Sequence, residues 1–186
     1  KKIGLLGINI GPNMNTENRL NDYVKCFKTF HEVADYITIN ISSPNTQDLR
    51  SFHDQIKLKQ LLQTINQEKK DLNSKTPIAV KVSPDINENE IKKISDVLID
   101  SNIEALIISN TSDATRENLH NIQKHQKGGL SGKPIEEKST ELIKKFYKVL
   151  KGRIKIIGVG GVDSGRSAYE KVINGATLVQ LYTGMI

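Results

Sequence analysis

The chain has 186 residues, 37% hydrophobic and 26% charged, enough apolar mass for one packed core. A single cysteine, Cys26, excludes a disulfide framework and a cysteine-cluster metal site, and no apolar run reaches the roughly 18 residues that a membrane-spanning helix needs. The net charge of +6 falls on segments such as Lys57-Leu58-Lys59 and Glu68-Lys69-Lys70, with no tryptophan and 5% aromatic residues. That pattern fits solvated helix faces and argues against a nucleic-acid partner.

The start, Lys1-Lys2-Ile3-Gly4, is too short and glycine-rich for a secretory leader. With no initial methionine and an apolar end at Met185-Ile186, the chain reads as a piece of a longer protein. The apolar run 5–10 predicts a first strand. Leu20, Tyr23, Val24 and Phe27 then recur at helical spacing, with Cys26 beside them read as buried and inert. A strand at 36–41 precedes the stripe Leu58, Leu61, Leu62 and Ile65. A strand at 78–82 precedes Ile91, Ile94, Val97 and Leu98, and one at 105–109 precedes Leu142, Ile143, Phe146, Val149 and Leu150. The last strands, 155–159 and 178–182, flank a shorter stripe of Ala168, Val172 and Ile173.

Strands apolar on both faces, alternating with amphipathic helices, predict right-handed βαβ units and an α/β fold. Two closures are open: a doubly wound sheet, or most of a (β/α)₈ TIM barrel. Polar clusters end several strands: Asn9, 40–45, Lys81, Asn110-Thr111, Gly160-Gly161 and Tyr182-Thr183. A barrel gathers every strand C-terminus into one ring, whereas an open sheet concentrates chemistry at one switch point. The distribution therefore favours a barrel, with six strands and five helices present in one partial domain, 1–186.

The densest cluster is Asn40-Ile41-Ser42-Ser43-Pro44-Asn45-Thr46. Its amides and hydroxyls suit a planar, polar ligand. They equally suit an ordinary turn, and only the position after a buried strand favours a site. Lys81 lies inside an apolar strand, where an ammonium needs a partner or a task; the bland alternative is a strand end reaching solvent. Asn110-Thr111 is as readily a cap or turn as a site. The run 128–134 is glycine-rich but lacks the Walker A ending. The run 158–165 follows a strand and precedes a helix, an arrangement that lets backbone approach a phosphate. The four histidines show no ligand spacing and read as surface residues, no metal site is expected, and Asp85 reads as a helix cap.

In chain order, Gly7-Ile8-Asn9-Ile10-Gly11, Asn40 to Thr46, Val80-Lys81-Val82-Ser83-Pro84-Asp85 and Ser109-Asn110-Thr111 are followed by Gly128 to Pro134, Gly158-Val159-Gly160-Gly161-Val162 and Leu178 to Thr183. This ordered set resembles the dihydroorotate dehydrogenases over essentially the whole chain. The resemblance implies a (β/α)₈ barrel that binds FMN and oxidises dihydroorotate to orotate in pyrimidine (UMP) synthesis. This chain would supply barrel strands 3 to 8. Ser43 stands where the class 2, quinone-dependent members carry a serine base and class 1 members carry cysteine. By that resemblance Asn9, Asn40, Lys81, Ser109, Gly132, Gly161, Tyr182 and Thr183 would hold FMN. Asn40, Asn45, Asn110 and Thr111 would hold substrate, and Thr46 would support a proton relay to Ser43. A membrane quinone would be the final acceptor. Peripheral association with a bacterial or mitochondrial inner membrane would run through a segment absent from this chain. Ser109 replaces a common Thr, Gln47-Asp48 a small, glycine-containing pair, and Gln126 a common acid. The rival readings are a class 1-like flavin barrel, disfavoured by Ser43, and a flavin-free phosphate-binding barrel such as an aldolase using Lys81 as a Schiff-base lysine.

Overall fold

The computed structural model describes residues 4–43, 49–114, 116 and 119–186. Among these described residues six parallel strands alternate with five α-helices: β1 (Gly7–Ile10), α1 (Arg19–Phe30), β2 (Tyr36–Asn40), α2 (Gln55–Asp71), β3 (Ile78–Val82), α3 (Glu88–Asp100), β4 (Ala105–Ile108), α4 (Glu136–Leu150), β5 (Lys155–Val159), α5 (Gly165–Ile173) and β6 (Leu178–Gln180). The strands pair in sequence order from β1 to β6, all parallel. A doubly wound sheet would reverse its order at a switch point; this one never does, so it is an arc of a β/α barrel.

Register assigns the two faces. Ile37, Ile39, Ile78, Val80, Leu106, Ile108 and Ile156 alternate onto the face that packs against helix residues such as Phe27, Leu61, Ile94 and Phe146. The opposite face carries Asn9, Thr38, Asn40, Lys81, Ile107 and Gln180, with Asn40 beside Lys81 and Lys81 beside Ile107. One face is thus a helix-covered core and the other a polar-studded interior. Burial on both faces holds for the central strands β2 to β4, while β1 and β6 are largely uncovered, because each pairs on one side only.

Most helices start where side chains satisfy free N–H groups. Asn18 caps α1, Asp54 caps α2, and capping boxes built on Asn87 and Ser164 start α3 and α5. Asn87, and not Asp85, is therefore the α3 cap. Helix α4 begins at Ile135-Glu136 with no side-chain cap. Helix α5 departs from its apolar pattern. Val172 and Ile173 are exposed, whereas Ser167 and Lys171 are fully buried: Ser167 closes the capping turn with Asp163 and Ser164, and Lys171 meets α4 through polar groups. His53 is also buried, contrary to the surface reading, and Cys26 is only partly covered.

Candidate active site

The strand C-terminal ends converge on a cluster of amides and hydroxyls. Asn40 Oδ1, at the end of β2, accepts hydrogen bonds from Ser42 N at 3.2 Å, Ser42 Oγ at 2.9 Å and Asn110 Nδ2 at 3.3 Å. Asn110 Nδ2 also donates to Ser42 Oγ at 3.0 Å, and Asn110 Oδ1 accepts from Thr111 N at 2.8 Å. From α1, the buried Tyr23 hydroxyl donates to the Asn40 carbonyl at 2.6 Å and pins the strand end. Ser42 is fully buried at the centre of this net, a role that turn composition did not single out. Ser43 follows it, half-buried. Asn45 and Thr46, with Pro44 between them and Ser43, lie outside the described residues.

Lys81 lies next to Asn40 across the sheet and is half-buried. Burial lowers its pKa from the ordinary lysine value. Among the described residues it has no ion-pair or hydrogen-bond partner, so its charge is directed at the site and not consumed by the fold. It borders a cavity of about 260 Å³ whose other walls are Ser109, Asn110 and Thr111 after β4, Gly132 and Ile135 before α4, Gly160 and Gly161 after β5, and Tyr182 and Thr183 after β6.

The glycines shape this cavity. Gly161 has φ +73, and a Cβ there would sit 2.4 Å from Glu136 Cβ and 2.7 Å from its Cα. Gly132 has φ +75, and a Cβ there would press on Thr183 Cγ2 at 3.0 Å. Only glycine fits this backbone without strain. Thr183 Oγ1 donates to Ser131 Oγ at 3.0 Å and ties the β6 end to the loop before α4. Helix α4 runs on from a 3₁₀ turn at Lys133–Ile135 in the same wall, where Ile135 N donates to the Gly132 carbonyl at 3.1 Å and Glu136 N to the Lys133 carbonyl, so backbone bonds take the place of a side-chain cap. Hydroxyls, a glycine wall open to close approach and the Lys81 ammonium suit a ligand with an anionic end and a polar ring.

A second network braces the loops around the mouth. Asp85, after β3, accepts from Ser112 Oγ at 2.6 Å, from Asp113 N at 3.1 Å and from Lys138 of α4. Arg50 approaches Asp85 at 3.2 Å and Asp113 at 2.5 Å. Burial alone would raise the Asp85 pKa, but the hydrogen bonds from Lys138, Ser112 and Asp113 outweigh it and hold the carboxyl at about 2. Nearby in sequence, burial and then the Arg50 charge push His53 down to about 4, and its Nε2 has no hydrogen-bond partner.

The site residues expected from sequence therefore separate into groups. Lys81, Ser109, Gly132, Gly161, Tyr182 and Thr183 line one cavity together with Asn110 and Thr111. Asn40 stands beside it through the Asn110 bond. Asn9 is on the same sheet face, exposed on β1 and outside the cavity lining. A larger cleft of about 890 Å³ lies at the opposite end of the sheet, lined by surface side chains such as Lys59, Gln63, Asn73 and Asn102 with no convergent cluster. Among the described residues no group of three or more His, Cys, Asp or Glu is placed to hold a metal ion.

An arc of consecutive parallel strands with a cavity at their C-terminal ends, walled by glycines and hydroxyl residues and bordered by Lys81, defines a β/α barrel whose candidate site lies where such barrels carry theirs. The family model described as "Dihydroorotate dehydrogenase" matches residues 1–186, and the chain belongs to that family. It is 47% identical over 189 residues to a "Dihydroorotate dehydrogenase (quinone)" of Teredinibacter turnerae, covering 98% of this chain and 56% of the relative. It is 46% identical to the protein of the same name from Pasteurella multocida, again over 98% of this chain and 56% of the relative. Both are bacterial proteins. Among solved structures, ligand-free DHODH from Eimeria tenella superposes with a TM-score of 0.94 at 32% identity, covering all of this chain and 55% of that one. The same protein in complex with ferulenol gives 0.93 at 32% identity over 97% of this chain and 53% of its own. The chain thus spans about half the length of the relatives it matches.

Proposed function

We propose that the protein oxidises dihydroorotate to orotate, with FMN as hydride acceptor and a membrane quinone as final acceptor, in de novo pyrimidine biosynthesis. The observation that carries this reading is the 47% identity to a quinone-dependent dihydroorotate dehydrogenase across 98% of the chain. The cavity supports it, because an uncompensated Lys81 and glycine-walled backbone fit a flavin ring and its phosphate. Lys81, Ser109, Gly132, Gly161, Tyr182 and Thr183 would hold FMN, with Asn9 and Asn40 at the ring. When bound, FMN supplies the acceptor for the hydride from substrate C6.

The chain's own residues supply the rest. Asn40, Asn110, Thr111 and Asn45 would hold the substrate's amide edges. Asn40 and Asn110 are already locked by Ser42, so little ordering remains to be done on binding. Ser43 would take the proton from C5. A hydroxyl is a weak base, so a relay supported by Thr46 would carry the proton away. Lys81 places a positive charge where negative charge develops. A quinone acceptor implies peripheral contact with a bacterial inner membrane. Among the described residues no helix is long and apolar enough to cross one.

The test is the acceptor. The complete protein, incubated with dihydroorotate, should reduce a quinone or quinone-like dye and leave NAD and fumarate unreduced. Comparable turnover with NAD or fumarate would contradict the reading. Borohydride trapping of a substrate adduct on Lys81 would favour the aldolase alternative instead.

A further inference from the structure

Lys171 on α5 is fully buried, although it is a lysine on a short helix near the edge of the sheet. Its Nζ donates to the Glu136 carbonyl at 3.0 Å and to Thr140 Oγ1 at 2.7 Å, both in the first turns of α4. Among the described residues no carboxylate is within ion-pair distance of it; the Glu136 carboxylate, engaged by Lys133, supports the Lys171 charge only from farther off, and burial lowers the Lys171 pKa to about 8, so it is still mostly charged at neutral pH. A buried ammonium held by neutral oxygens is costly, and an apolar side chain of similar length would pack there at less cost. The charge therefore has a use, and its position indicates which. Glu136 is the shared residue: its carbonyl meets Lys171, while its Cα and Cβ abut Gly161 on the cavity wall. These contacts, with standard backbone dimensions, put Nζ within about 10 Å of Gly161. Behind Lys171, its Cβ lies 3.2 Å from the Cβ position of Gly158 on β5, so the side chain is wedged against the strand that leads into the glycine loop.

We infer that Lys171 is a positioning residue for the anionic end of the cavity's ligand: its two bonds hold the start of α4 against Gly160-Gly161, and its buried charge biases that wall towards a phosphate. The inference rests on the FMN reading above and adds a residue outside the cavity lining to it. Through low-dielectric protein, a unit charge at this distance shifts the affinity for an anion by about tenfold or more.

The experiment compares FMN with riboflavin, which shares the ring and lacks the phosphate. Both are titrated into the flavin-stripped complete protein and followed by flavin fluorescence. Wild type should prefer FMN, and Lys171→Met should reduce that preference about tenfold while leaving riboflavin affinity close to wild type. Equal losses for both flavins would mean a purely structural role and would overturn the inference. Should Lys171→Met fail to fold, Thr140→Val decides. It keeps the charge and removes one anchor, so the FMN preference should fall several-fold, and an unchanged preference would again overturn the inference. A wild-type protein that binds no flavin would remove the FMN reading itself, an outcome distinct from either variant result.

Discussion

Ser42 and Ser43 are neighbours in sequence and differ in what surrounds them. Ser42 is fully buried and bridges Asn40 to Asn110, whereas Ser43 is half-buried at the edge of the same cluster. Under the proposed reaction, Ser43→Ala removes the base and should slow flavin reduction by dihydroorotate roughly 10²–10⁴-fold, with FMN still bound. Ser42→Ala should act differently: it loosens the two amides and weakens substrate binding more than it slows the step from bound substrate. Stopped-flow absorbance across a range of dihydroorotate concentrations separates the two. A Ser43→Ala protein reduced at nearly the wild-type rate would exclude Ser43 as the base. Sequence drew attention to Ser43 through the family resemblance and to the cluster through its density of amides and hydroxyls. Ser42, His53 and Lys171 were not legible. Each is a polar residue whose burial depends on which groups from other elements meet it, and no local spacing encodes that.

At the level of elements, Asp85 joins pieces distant in sequence: the Arg50 turn after β2, the Ser112-Asp113 loop after β4 and Lys138 of α4. The carboxyl titrates at about 2 instead of 3.8, so the folded state binds its proton less readily than the unfolded chain does. The stabilisation is therefore complete above pH 3.8 and is lost as pH falls towards 2. Asp85→Asn should cost about 2 kcal/mol near neutral pH, and the gap to wild type should close as the pH drops through that window. Urea unfolding of both proteins at neutral and acidic pH measures it, and a gap independent of pH would show that the network adds no charge-dependent stability. Element types were readable because β2 to β4 are apolar runs and α1 to α4 carry clear 3.6-residue stripes. Capping was harder. Asp85 and Asn87 are both good cap residues two positions apart, and only the backbone geometry at Asn87, with Glu90 closing the box, decides between them. In α5 the apolar stripe pointed to the wrong face, since the bonds to α4 are made by Lys171, and Ser167 is buried in the capping turn with Asp163 and Ser164.

For the molecule as a whole, polar clusters at several strand ends favoured a barrel over an open sheet, and the uninterrupted order β1 to β6 agrees. The shape of the cavity was less legible, because it depends on Gly161 meeting Glu136 and Gly132 meeting Thr183 across large sequence separations. The same architecture has a consequence for the 186-residue chain on its own. Strands β1 and β6 each pair on one side, leaving two rows of unpaired backbone groups. Apolar side chains accompany them: Leu5 is 82% exposed, Leu178 61% and Ile186 95%. Unpaired edges flanked by exposed apolar residues template association with another chain. Expressed by itself, the chain should therefore self-associate, and the associated fraction should rise with concentration. Leu178→Lys places a charge on the β6 edge, as natural sheets do to block pairing, and should shift the population towards monomer. Light scattering coupled to size exclusion reads the mass directly. A chain that stays monomeric at every concentration tested would show that its edges are protected in solution, and an unchanged mass for Leu178→Lys would move the association away from β6.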